Sequence, residues 1–230
     1  APKRNTFSNA NRTRDPVIAE RLYWQTFEHL RTICPDFTQV KRHKGFIHRI
    51  MRDIFAIDST TLPLSLNCIN WARHRSKKAA AKTHMCINIG NSLPTFAVVE
   101  DAAHHDSKRA DVLCAGLKDG DVMLADRAYV DLAFLFDLSE RGVFFVLREK
   151  ENMVFTVVKR RPHKDPRILA DETVRMSRKG SAEKYPETLR RITAIVEVDG
   201  RDMELTFITN NFEWSPRTIA ELYRARWAIE

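Results

Sequence analysis

Two short apolar runs, IFAID (54–58) and DVMLAD (121–126), each end on a carboxylate, Asp58 and Asp126. Desolvating a carboxylate at the end of an apolar strand is costly unless something compensates its charge. Either residue alone could simply begin a solvated loop. Two in one chain point to chemistry, because on parallel neighbouring strands both side chains project from one sheet edge. A third acid brought in on a helix would complete an all-oxygen site suited to Mg²⁺ or Mn²⁺. The stretch LYRARWAIE (222–230) carries such an acid. At about 100° per residue, Tyr223, Arg226 and Glu230 fall within roughly one sixth of a helix circumference. Arg226 has the planar fork that holds a phosphate through two hydrogen bonds, and Tyr223 can stack on a base or bond a phosphate. Taken alone, the trio also reads as an ordinary charged helix face.

The elements that must position these residues follow from periodicity. IFAID, DVMLAD and VFFVLR (143–148) are short unbroken apolar runs, the pattern of strands covered on both faces. THMCINIGNSLPTFAVVED (83–101) reads as two strands joined across a Gly-Asn turn. SKRADVLCAGL (107–117) reads as helical, and VDLAFLFDLSERG (130–142) as a helix closed by Gly142. WARHRSKKAAAK (71–82) reads as a loop or short helix, with Arg73, Arg75, Lys77, Lys78 and Lys82 and no acid. Residues 149–212 hold alternating stretches, MVFTVVKR, LRRITAIVEV and MELTFITN, which predict a mostly antiparallel β insert. Ser215 then caps, and Pro216 opens, a last helix. Residues 1–52 are basic and mostly helical, with Asp15 capping and Pro16 in the first turn of DPVIAERLYWQTFEHLRTIC (15–34).

A chain of 230 residues, 43% hydrophobic, can bury one good core and a smaller second lobe. Its net charge of +8 suits an acidic partner, nucleic acid or an anionic membrane, and charge alone does not choose. No apolar run reaches the roughly 18 residues of a membrane span, and the polar, basic start APKRNTFSNANRTRD is not a signal peptide pattern. Cys34, Cys68, Cys86 and Cys114 are widely spaced with no CxxC pair, so buried free thiols in a reducing cytosol are expected. Because the chain starts without methionine and stops in mid-pattern, it reads as a fragment trimmed at both ends. No Ser-His-Asp arrangement can be placed. His84, His104 and His105 read as structural histidines, and Asp101 and Asp106 as groups supporting the site from outside its ligand set.

On these residues the chain resembles the DDE transposases of bacterial insertion sequences, specifically the insertion-sequence-four family. That family's hallmark, Y-x2-R-x3-E-x6-K, is matched in its first three positions by Tyr223, Arg226 and Glu230. FAIDSTTL (55–62) is similar to the stretch around the family's first aspartate, and GDVMLADRAYVD (120–131) to that around its second. AKTH (81–84), HDSKRAD (105–111), ERGVFFVLREKEN (140–152) and FITNNFEWSPRTIAELYRARWAIE (207–230) resemble further blocks. The likeness begins near residue 53 and covers roughly three quarters of the chain.

The resemblance implies an α/β fold, an RNase H-like mixed sheet flanked by helices, with a β-rich insert before the last catalytic helix. Its core would comprise residues 53–148 and 213–230, interrupted by the insert at 149–212. It implies a DNA transposase that cuts double-stranded DNA at transposon ends and transfers the strand into target DNA. Two Mg²⁺ or Mn²⁺ ions, about 3.5–4 Å apart in such sites, would be held by Asp58, Asp126 and Glu230. One would activate water and later a DNA 3′-hydroxyl, and the other would stabilise the leaving oxygen. Tyr223 and Arg226 would hold a phosphate near the cut. Arg73, Arg75, Lys77, Lys78, Lys82 and the insert's KRRPHK (159–164) would contact the DNA backbone. A homodimer on paired ends in the bacterial cytoplasm, with no membrane, is the implied setting. The family's lysine falls beyond residue 230. Members that cut through a DNA hairpin hold a flipped base with a tryptophan in the insert, yet residues 149–212 contain none. Trp214 lies just outside, and Phe155, Tyr185 or Phe207 could substitute. Two rival readings are a transposase-like DNA-binding protein without catalysis, against which all three acids argue, and an RNase H-like nuclease without strand transfer.

Overall fold

The computed structural model describes residues 6, 9, 13–15, 17–34, 36, 50, 52–64, 73–74, 78–101 and 106–227. The chain forms two compact units, Ala1–Lys41 and Arg42–Glu230. The first unit contains α1 (Val17–Ile33). Asp15 opens it as expected, its Oδ1 accepting from the Val17 N–H at 3.0 Å. The apolar stripe of α1 includes Val17, Ile18, Leu22 and Ile33, all exposed. Among the described residues no helix is long and apolar enough to cross a membrane.

In the second unit, the described residues form one ten-stranded sheet. Its strands are β1 (Ile54–Leu64), β2 (Arg73–His74), β3 (Lys78–Asn88), β4 (Leu93–Asp101), β5 (Val122–Ala125) and β6 (Phe144–Arg148), then β7 (Phe155–Arg160), β8 (Ile168–Met176), β9 (Thr188–Val198) and β10 (Arg201–Thr209). The order runs β2-β3-β1-β5-β6-β10-β9-β8-β7, with β4 also paired to β3. β1 pairs antiparallel with β3 and parallel with β5, and β5 pairs parallel with β6. β10 then adds antiparallel to β6, so the predicted β insert continues the sheet instead of forming a separate body. WARHRSKKAAAK does not form a loop or helix throughout: Arg73–His74 is a strand, and from Lys78 the chain is strand. Ala79 to Lys82 pair with Leu64 to Thr61 of β1, and that ladder outweighs alanine's preference for helix.

Alternation assigns the two sheet faces to two cores. Ile57, Met123, Ala125, Phe145, Leu147 and Ile208 face one side, while Ile54, Ala56, Val122, Leu124, Val146 and Phe207 face the other. The first face is covered by α2 (Ala110–Leu113) and α3 (Leu132–Glu140), and by α4 (Lys179–Lys184), a helix that periodicity did not anticipate. Gly142 ends α3 with φ 71°, a left-handed turn, and a Cβ there would collide with Asp119. Cys86 and Cys114 are buried free thiols, as expected; burial pushes the Cys86 thiol up to about 11. Cys34 is exposed, contrary to expectation, because α1 buries none of its residues. Cys68 lies outside the described residues.

The second face is covered by α5 (Pro216–Arg226), which buries Ile219, Ala220, Leu222, Tyr223 and Arg226. Ser215 caps it as predicted, its Oγ accepting from Thr218 N at 3.1 Å. A clasp inside the sheet fixes where α5 starts. Arg190 on β9 is 1% exposed and forms a bidentate pair with Asp171 on β8, at 2.8 and 2.7 Å. Its remaining nitrogen donates to the carbonyls of Trp214 at 2.6 Å and Asn211 at 3.3 Å. Asn211 in turn accepts from the Glu213 and Trp214 N–H groups. Removing one partner of a buried pair leaves an uncompensated charge, whereas removing both does not. Arg190→Leu is therefore expected to lower unfolding free energy by about 3 kcal/mol, and Arg190→Leu combined with Asp171→Leu to recover most of it, as read by urea denaturation.

Candidate functional site

The parallel register runs from Ile54 beside Val122 to Ile57 beside Ala125, so one further step sets Asp58 beside Asp126. Neighbouring strands lie about 4.8 Å apart, which makes the two carboxylates close neighbours. Their parity along β1 and β5 matches Ala56 and Leu124, so both belong to the face that α5 covers.

Each carboxylate is held twice. Asp58 Oδ1 accepts from the Ser59 N–H at 2.8 Å, and Oδ2 from Arg226 at 3.0 Å. Asp126 Oδ1 accepts from the Arg127 N–H at 2.7 Å and from the Tyr223 hydroxyl at 3.4 Å. Asp126 thereby caps the 3₁₀ turn Arg127–Tyr129 that follows β5. The Arg226 side chain is 6% exposed and that of Asp58 30%, so the pair sits at the mouth of the core, where its attraction is only partly screened. The Arg226 guanidinium also lies 5.5 Å from the centre of the Tyr223 ring. Burial raises the pKa of the Tyr223 phenol, with neighbouring Arg226 opposing the shift, so the hydroxyl is a protonated donor at neutral pH.

The i, i+3 spacing of Tyr223 and Arg226 thus puts them over Asp126 and Asp58 respectively. Tyr223 itself is 1% exposed, packed against Phe207 and Trp227 at 4.9 and 5.5 Å between ring centres. Stacking on a base would require it to leave the core. Tyr185 and Phe207 are likewise fully buried, and Trp214 packs on Phe144 at 5.5 Å.

Glu230, the expected third acid, lies outside the described residues, as do Arg75, Lys77, His104 and His105. Arg73 and Lys78 are placed by backbone only, at the β2–β3 pairing. Lys82 is turned to Asp106, 2.8 Å away, with 15% of its side chain exposed. In KRRPHK, Lys159, Arg160, His163 and Lys164 are exposed, while Arg161 donates inward to the Phe212 carbonyl at 2.8 Å. Among the described residues no three His, Cys, Asp or Glu side chains form a metal-holding group. Asp58 and Asp126 are nonetheless two hard oxygen donors abreast, the donor type that Mg²⁺ and Mn²⁺ take. Sequence reasoning missed Ser59 and Tyr129 beside this pair; the signal available was Tyr129 three residues past Asp126 in ADRAYVD.

A family model, transposase DDE domain, matches residues 49–230. The protein y4zB of Sinorhizobium fredii (strain NBRC 101917 / NGR234), described as a transposase, is 31% identical over 179 residues, 76% of this chain and 48% of that protein. A protein of Geobacillus stearothermophilus, described as the transposase for insertion sequence element IS5377, is 28% identical over 185 residues, 79% of this chain and 47% of that protein. The chain spans about half the length of the curated relatives it matches. The cryo-EM structure of the piggyBac transposase synaptic complex with hairpin DNA overlaps 76% of this chain and 38% of its own, with a TM-score of 0.46 and 8% identity, a likeness too low to carry an argument.

If Arg226 balances the charge of Asp58, the two must be energetically coupled. A double-mutant cycle of Asp58→Asn and Arg226→Met is expected to give a coupling of about 1–3 kcal/mol in unfolding free energy. Additive losses would mean that the contact carries no energy.

Proposed function

The chain belongs to the transposase DDE domain family, and from that premise we propose that it is the catalytic part of a DNA transposase of the insertion-sequence-four group. It cuts double-stranded DNA at transposon ends and joins the cut strand to target DNA. The core is RNase H-like: β4-β3-β1-β5-β6, with β3 running against its neighbours, forms the central sheet. Residues 53–148 and 213–230 make up this core, with 149–212 as an insertion and 1–52 as a basic N-terminal segment. The observation that carries the reading is Asp58 and Asp126 set abreast where the parallel pairing of β1 and β5 ends, with Arg226 and Tyr223 of one helix closing on them.

Asp58, Asp126 and Glu230 are the residues that would hold two Mg²⁺ or Mn²⁺ ions. When bound, such ions activate the attacking oxygen and neutralise the leaving one. The chain's own residues prepare that chemistry. The Ser59 and Arg127 N–H groups fix the two aspartates by their Oδ1 atoms. Tyr223 donates to Asp126 and limits its rotation. Arg226 sets its positive charge against Asp58 beside a second carboxylate, and a guanidinium fork is the group that pairs with a DNA phosphate. Glu230 stands four residues after Arg226 in the sequence.

Double-stranded DNA is the substrate. Its backbone meets the basic stretch of Arg73, Arg75, Lys77 and Lys78, and the exposed edge strand β7 with Lys159 and Arg160. A homodimer on paired ends in the bacterial cytoplasm is the working assembly. Because Tyr185 and Phe207 are buried, neither takes a flipped base.

In the full-length protein, Asp58→Asn and Asp126→Asn are each expected to lower Mg²⁺-dependent cleavage of transposon-end DNA by more than about 100-fold, with DNA affinity at fixed salt unchanged within a few-fold. Cleavage at the wild-type rate by either variant overturns the proposal. Binding without cleavage by the wild type would favour a DNA-binding protein without catalysis.

A further inference from the structure

Behind Asp58 and Asp126, on the sheet face away from α5, lies a closed polar cluster that the chemistry above does not use. Its centre is His84, a fully buried residue paired in register with Ser59. Its Nε2 is 3.2 Å from Glu100 Oε1, and its Nδ1 is 3.5 Å from both Asp106 Oδ1 and the Tyr129 hydroxyl. Lys82 neutralises Asp106 at 2.8 Å, and Arg109 grips the other oxygen of Glu100, its Nε at 2.8 Å. Lys82, His84 and Glu100 come from the β3–β4 hairpin, Asp106 and Arg109 from the segment entering α2, and Tyr129 from the turn after β5. Apolar side chains would fill this space without the desolvation cost that an imidazole and two carboxylates carry. What the polar version adds is charge complementarity, which holds the imidazole between two carboxylates and beside the Tyr129 hydroxyl.

The cluster converges on Tyr129. The residue is 1% exposed and sits in the turn that Asp126 caps, its backbone N–H donating to the Asp126 carbonyl at 3.1 Å. Its phenol is hydrogen-bonded to Ser59, the residue next to Asp58, as well as standing beside His84. One side chain therefore links the turn of Asp126 to the strand position after Asp58. Burial pushes the phenol's pKa up and that of His84 down, against the pull of Asp106 and Glu100. The Tyr129 hydroxyl stands 3.5 Å from His84 Nδ1 on one side and bonds Ser59 on the other.

We infer that Tyr129, oriented by His84 and its two carboxylates, is a positioning residue that holds Asp58 and Asp126 at the separation a shared divalent ion requires. The inference rests on the proposed reading of those aspartates as metal ligands. Removing an outer partner of a metal ligand weakens binding about 10–100-fold, and Tyr129→Phe removes only the hydroxyl.

The experiment titrates Mn²⁺ into the DNA-free protein by calorimetry, with thermal unfolding measured in parallel. Tyr129→Phe is expected to bind Mn²⁺ about 10-fold more weakly with its unfolding midpoint little changed, and cleavage by the full-length variant should recover as Mn²⁺ is raised. Ser59→Ala, at a partly exposed strand position, removes the other end of the same link without disturbing the core, and should weaken Mn²⁺ in the same direction. Wild-type Mn²⁺ affinity in both variants overturns the inference and leaves the functional reading standing. Mn²⁺ binding that Asp58→Asn does not alter overturns both.

Discussion

Two carboxylates abreast on parallel strands repel each other, and the rest of this fold can be read as the means of tolerating that repulsion. At about 5 Å and an effective dielectric near 20, like charges cost each other about 3 kcal/mol. The register of β1 and β5 makes the juxtaposition of Asp58 and Asp126 unavoidable, because the apolar residues before them leave no slack: shifting by one position would turn Ile54, Ala56, Val122 and Leu124 onto the wrong face. Compensation has to come from outside the two strands. Arg226, 3.0 Å from Asp58, supplies the opposite charge, and Tyr223 adds a neutral donor at Asp126.

Placing one helix over two aspartates of neighbouring strands demands precision from elements distant in sequence. The chain leaves β6, runs through β7, β8, α4, β9 and β10, and only then enters α5. Because β10 returns to pair with β6, this long excursion ends beside the strand where it began. The buried Arg190–Asp171 clasp ties the strands of the excursion to the carbonyls just before α5. Strands β7 to β10 are therefore part of the site's support, since they share both cores with the central sheet.

Much of this arrangement was legible in the sequence. Unbroken apolar runs ending in Asp58 and Asp126 identified two central strands, and Ser215-Pro216 marked the start of the helix that closes over them. Those signals are local, and local preferences agree here with the final fold. The strand at Ala79–Lys82 was not legible, because alanine and lysine favour helix and only pairing with β1 makes them extended. Nor was the inward turn of Lys82 toward Asp106, or the burial of Tyr223, since a basic loop and an exposed helix face give the same pattern of letters. The His84–Tyr129 cluster joins residues from four parts of the chain, and no single spacing announces it.

The central claim, that Asp58 and Asp126 are two ligands of one divalent-ion site, is most directly tested by anomalous diffraction from crystals of the full-length protein grown with Mn²⁺. The account predicts manganese at bonding distance from both aspartates, with Glu230 drawn in beside them and the Arg226 guanidinium displaced from Asp58 Oδ2. Manganese absent from the two aspartates, with the Asp58–Arg226 pair intact at saturating Mn²⁺, would contradict it.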